Sequence, residues 1–197
     1  MPIYRAFARD AQFLSSAVYI DSCFAIKAAV SDQTYHTECR ALAEILTNPK
    51  YRVIYSDFLL IDAWNGIVNM YVEAAFERQR AGQYGYGLTL YEFKKSQPAL
   101  LTNLFPDIIK AYQAFNYLLR SFRRMVVPVT PAIRTAALKF MRDLGLYPAD
   151  AVHAATAAGE RAMDIITLDS DYAVLPKTFS VWNPDAITRK LESRQAR

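Results

Sequence analysis

Four aspartates occupy places where a chain alternating short apolar runs with helical stretches would gather them. Asp21 closes the run Ala17-Val-Tyr-Ile, and Asp62 lies a few residues beyond the run Tyr51–Tyr55. Asp150 opens an alanine-rich segment after Pro148, and Asp169 follows Ile165-Ile-Thr-Leu, with Asp171 two residues on. Carboxylates crowded at one place repel one another unless a cation sits among them. Hard divalent ions take oxygen ligands, and Mg²⁺ needs only one or two carboxylates beside waters and substrate phosphate. The pattern therefore points to metal-dependent chemistry on phosphodiesters.

Each acid also has a purely structural explanation. Asp150 stands where a helix N-cap would be. Asp169 and Asp171 suit a turn, and Asp62 an exposed helix position. Asp21 is hardest to explain this way, because an acid directly ending an apolar strand does not serve a core.

The elements that must position these residues follow from periodicity and stop signals. Strands are expected at Val18–Ile20, Tyr51–Tyr55, Val126–Val129, Asp164–Thr167 and Ser180–Trp182. Residues 34–46 have helical spacing and stop at Asn48-Pro49. Ser56 is a candidate N-cap, with Asp57 in the first turn of a helix whose apolar face runs through Ile61, Trp64, Ile67, Val68 and Tyr71. Residues 90–125 look helical, with breaks at Pro98 and Pro106. Thr130 caps a helix with Pro131 in its first position, ending near Gly145. Alternating strands and helices imply an α/β fold with a parallel sheet and helices on both faces. Its ligand site should lie beyond the carboxyl ends of the strands, where Asp21 and Asp169 stand.

The chain has 197 residues, of which 53% are hydrophobic and 21% charged. That is a globular composition, not a disordered one. We expect one domain over residues 1–187, a helical insertion over about 78–125 covering or flanking the acidic site, and a frayed polar tail at 188–197. Cys23 and Cys39 have no CxxC spacing and no supporting histidine cluster, which argues against zinc and for small buried side chains. No apolar run approaches the roughly 20 residues of a membrane span, and the N-terminus lacks the layout of a signal peptide. A cytoplasmic location with no membrane partner is the expectation.

The net charge of +4 leaves basic groups to hold a phosphate backbone. Arg120, Arg123 and Arg124 are spaced as one helical face and are the candidate RNA-binding cluster. Tyr84 and Tyr86, among Gly82, Gly85 and Gly87, could stack on bases.

Taken together, Val-Tyr-Ile-Asp21-Ser, the stretch from Ser56 to Asp62, Leu146-Tyr-Pro-Ala-Asp-Ala-Val-His-Ala-Ala-Thr-Ala and Thr167-Leu-Asp-Ser-Asp-Tyr resemble the four acidic motifs of PIN-domain ribonucleases. The resemblance is nearest to the VapC-like toxin branch, over residues 17–77 and 126–184. It implies a PIN-like sandwich and a Mg²⁺- or Mn²⁺-dependent ribonuclease with Asp21, Asp62, Asp150 and Asp169 as catalytic acids. Asp21, Asp150, Asp169 and, more weakly, Asp171 would be the metal ligands, and Asp62 would act through water. Ser22 and Thr167 would orient these ligands. His153, one turn after Asp150, is read as packing or hydrogen bonding. The implied partners are an RNA substrate, a cognate antitoxin and a second copy of the chain. This sequence differs from the family pattern at Asp62, where Glu is usual, at Cys23, where Asn or another small polar residue is common, and in the length of segment 78–125. A PIN-like module that binds RNA or protein without catalysis is the alternative. A phosphatase of another α/β fold fits less well, since a phosphoaspartate mechanism would favour Asp where Cys23 stands.

Overall fold

The computed structural model describes residues 1–31, 33–82 and 89–195. The loop carrying Tyr84 and Tyr86 lies outside the described residues. The order is β1 (Ile3–Ala6), β2 (Ala17–Ile20), α1 (Ser22–Ala29), α2 (His36–Leu46), β3 (Arg52–Ser56), α3 (Phe58–Gly82), α4 (Leu90–Ser96) and α5 (Leu100–Ser121). It continues with β4 (Arg124–Val127), α6 (Pro131–Leu144), α7 (Pro148–Gly159), β5 (Asp164–Ile166), β6 (Ser180–Asn183) and α8 (Asp185–Gln195).

The six strands form one sheet in the order β1-β6-β5-β2-β3-β4, and every pair is parallel. Side chains alternate between its faces. Val18, Ile20, Val53, Tyr55, Ile166 and Trp182 face one apolar cluster, together with α1, α2, α3 and α5. Tyr19, Ile54, Ile165 and Val181 face the other, with α6, α7 and Leu191 of α8. The α/β architecture with helices on both faces is thus the one expected. From β2 the chain runs outward through β3 to β4, then returns to the other side of β2 as β5. The sheet's topological switch point lies between β2 and β5, and open parallel sheets bind ligands at such a point.

Several local expectations are corrected. β1 was not anticipated: it is a four-residue edge strand containing Arg5, too short to show a period. Ser56 does not cap α3. It ends β3 buried, and Asp57 instead accepts the Val129 N–H at 3.0 Å. The buried face of α3 runs through Leu59, Ala63, Ile67, Val72 and Phe76, whereas Ile61 is 62% exposed. Pro106 lies inside α5 without ending it, because Leu104, Ile108, Ala111, Phe115 and Leu118 anchor that helix in the core on both sides of the proline. Residues 188–195 are not frayed: they belong to helix α8, with Thr188 and Leu191 buried. No helix among the described residues is long and apolar enough to cross a membrane.

Candidate metal centre

Asp21 is the last residue before α1 and its N-cap, in extended conformation. Its Oδ1 accepts the Ser22 N–H at 2.6 Å, and its Oδ2 accepts the Thr167 hydroxyl at 2.8 Å and the Cys23 thiol at 3.1 Å. Four per cent exposed, it is held from both sides of the switch point, since Thr167 follows β5. The Thr167 Oγ1 also accepts the Asp169 N–H at 3.0 Å, so one hydroxyl ties two of the acids together.

Asp62 lies in the second turn of α3 and is a short hydrogen bond away from the Ser22 hydroxyl, which donates to its Oδ2. Gly66, one turn further on, makes this approach possible: a Cβ there would stand 2.8 Å from Ile26 Cδ1 of α1. His153 and then the Ser22 hydroxyl hold the Asp62 carboxyl below its ordinary value. His153 Nε2 is 3.6 Å from Asp62 Oδ2 and 3.5 Å from Asp21 Oδ1, charge contacts rather than hydrogen bonds. Burial disfavours the imidazolium, but Asp62, Asp21 and Asp150 outweigh it and hold His153 above its ordinary value.

Asp150 is the third residue of α7, after Pro148 at the first, and not the N-cap. Among the described residues its carboxylate has no hydrogen-bond donor, so capping does not account for it. Burial, then the charges of Asp21 and Asp169, push Asp150 up to about 7. Asp169 is also raised, by burial first and by the Asp171 and Asp21 charges, against the Asp171 N–H that it accepts at 2.9 Å. The ligand atoms of Asp150, Asp169 and Asp171 lie within 4.8 Å of one another, and so do those of Asp21, Asp62 and His153. Among the described residues no Lys or Arg pairs with any of these acids. An unneutralised gathering of this kind, with a buried nitrogen lacking a hydrogen-bond partner, has the donor set a divalent cation requires.

Sequence reasoning missed the role of Cys23 and gave His153 only packing or hydrogen bonding. Cys23 is not a passive apolar side chain: besides Asp21 it meets Thr167 Oγ1 at 3.2 Å and accepts the Leu168 N–H at 3.1 Å. Burial pushes its thiol up, so it stays protonated and donates. His153 is wholly buried beneath the acids. Its position one turn from Asp150 was the available signal.

The basic cluster is placed differently from the expectation. Helix α5 ends at Ser121, Arg123 follows it and donates to the Pro49 carbonyl at 3.1 Å, and Arg124 begins β4 opposite Val53. The three arginines therefore do not share a helical face. They stand at the amino edge of a parallel sheet whose carboxyl edge carries the acids.

Acids converge at the switch point of this parallel sheet, the place where α/β domains of this kind bind ligands. The family model of the PIN domain matches residues 18–177, and the chain belongs to that family, a family of nucleases. Its fold is similar to that of VapC20 from Mycobacterium tuberculosis, a sarcin-ricin loop cleaving toxin, at 14% identity over 79% of this chain and 92% of that one, with a TM-score of 0.50. A further likeness is to VapBC2 from Rickettsia felis, solved bound to a DNA fragment from its promoter, at 13% identity, 86% and 99% coverage and a TM-score of 0.49. No curated protein matches significantly in sequence. At 14% identity the likeness to VapC20 is one of fold alone.

Proposed function

We propose that this protein is a Mg²⁺- or Mn²⁺-dependent endoribonuclease that hydrolyses RNA phosphodiester bonds, and that it acts as the toxin of a toxin–antitoxin pair. One observation carries the reading: acids from the end of β2, α3, α7 and the segment after β5 meet at one sheet edge with no Lys or Arg paired to them among the described residues, where burial and then the charges of Asp21 and Asp169 push Asp150 up to about 7. Asp21, Asp150 and Asp169 would hold the cation, with Asp171 and Asp62 beside them. A bound divalent ion supplies an activated water and neutralises charge developing on the phosphate. The chain supplies positioning. Ser22, Thr167 and Cys23 donate to Asp21 and leave it no freedom to turn away.

Asp62, although a methylene shorter than the family's usual Glu, already reaches Ser22 and lies beside His153. That weighs against a decayed binding module. Family membership and the acidic site support an RNA substrate, and a cognate antitoxin and a second copy of the chain are proposed as its partners. Incubating the purified protein with single-stranded RNA and Mn²⁺ should give cleavage that EDTA stops and fresh Mn²⁺ restores. Cleavage indifferent to EDTA, or none with either ion, would remove the reading.

A further inference from the structure

His153 is read as packing or hydrogen bonding when only the sequence is considered, but its surroundings ask more of it. The side chain is 1% exposed, and Nε2 is one of four buried side-chain polar atoms without a hydrogen-bond partner among the described residues. A buried polar group left unpaired is costly and needs a reason. Nε2 points between Asp21 Oδ1 at 3.5 Å and Asp62 Oδ2 at 3.6 Å.

The other ring nitrogen shows what Nε2 can offer. Nδ1 lies 2.8 Å from the Tyr19 hydroxyl. That hydroxyl has one hydrogen, which it donates to Ser56 Oγ at 3.2 Å, and it accepts the Ser56 N–H at 3.2 Å. Nδ1 must then donate to Tyr19, so in the neutral ring it is Nε2 that carries the lone pair and turns it toward the acids. The opposite tautomer would aim an N–H at two carboxylates and reach neither within hydrogen-bond distance. Atoms bound at ~2.0–2.2 Å to one ion lie roughly 3–4.4 Å apart, a span that contains both contacts.

We propose that His153 Nε2 is a direct ligand, with Asp21 and Asp62, of the divalent cation, making this a mixed nitrogen–oxygen site that prefers Mn²⁺ to Mg²⁺. The inference rests on the acidic edge being a cation site, and it adds a ligand that an all-carboxylate site lacks. Carboxylate and water suit Mg²⁺ and Mn²⁺ alike, but Mg²⁺ is the harder ion and holds its oxygen shell, so a nitrogen ligand weighs toward the first-row transition ion. Tyr19 is a positioning residue, fixing the tautomer through Nδ1 as outer partners of metal-bound histidines do.

The test uses the full-length, metal-free protein and Mn²⁺ alone, read by electron spin-echo modulation. His36, the only other histidine, is removed by His36→Gln. Bound Mn²⁺ should show directly coordinated nitrogen whose modulation changes when histidine is ¹⁵N-labelled, a readout that needs no site variant. His153→Gln should lose that coupling and the preference for Mn²⁺ over Mg²⁺. Tyr19→Phe should keep the coupling and weaken Mn²⁺ binding about tenfold. Mn²⁺ bound without histidine nitrogen would overturn the inference, making His153 a buried counter-charge while leaving the cation site intact. Failure to bind Mn²⁺ at all would overturn this inference and the cation site together.

Discussion

Asp150, half-buried and facing Asp21 and Asp169, keeps its proton up to about pH 7, against an ordinary value of 3.8. The sign of the consequence follows from proton counting. Between these values the unfolded chain has lost the proton that the folded protein still holds, so metal-free stability falls as pH rises through this window and stays lowered above it. Asp150→Asn lacks the penalty. In EDTA its melting temperature should exceed that of the wild type by a margin that grows from pH 4 to pH 7 and then levels, each kcal/mol relieved being worth roughly 2–4 °C for a chain of this size. A constant margin across the range would contradict the electrostatic assignment. Thr167→Val removes the hydroxyl joining Asp21 to Asp169 and should weaken Mn²⁺ binding by roughly 10–100-fold, measured by titration calorimetry. Asp21, Asp150 and Asp169 were legible because strand ends and helix starts mark themselves in a sequence. The contacts of Cys23 with Thr167 and of His153 with Tyr19 were not, since those partners stand more than a hundred residues away in sequence.

At the scale of elements, the acids depend on how closely α3 lies against α1. Gly66 permits that approach, with only Ile26 Cδ1 in the way of a Cβ. Gly66→Ala should be tolerated, because the tip of Ile26 can rotate and alanine favours the helix. Gly66→Leu should cost about 1–3 kcal/mol through overpacking and reduce cleavage further, because it drives Asp62 away from Ser22. Denaturant melts and cleavage assays on both variants check this, and normal activity in the Gly66→Leu protein would refute it. The central strands and α6, with Thr130 as cap, Pro131 first and Gly145 left-handed at the end, could be read from local chemistry. Tertiary packing settled the rest. It carried α5 through Pro106 and left Ile61 of α3 exposed, while Trp64, Ile67, Val68 and Tyr71 pack on the core as their spacing suggested. It also drew the polar segment after Asn183 into α8 by burying Thr188 and Leu191.

Across the whole molecule, the parallel sheet separates its charges: acids at the carboxyl edge, Arg120 and Arg124 near the amino edge. Reversing Arg120 and Arg124 to Glu should therefore leave the rate and salt dependence of RNA cleavage unchanged, and a lost salt dependence would show that substrate wraps around the molecule to that edge. The sheet order also explains why four acids far apart in sequence meet: β2 and β5 flank the switch point, α3 leaves β3 on one side, and α7 enters from the layer opposite. The most direct test of this account is single-turnover cleavage of RNA in saturating Mn²⁺ by the wild type and by Asp150→Asn, whose folding is verified by its melting curve. The account predicts cleavage by the wild type and none by a folded Asp150→Asn; equal cleavage by the two proteins would contradict it.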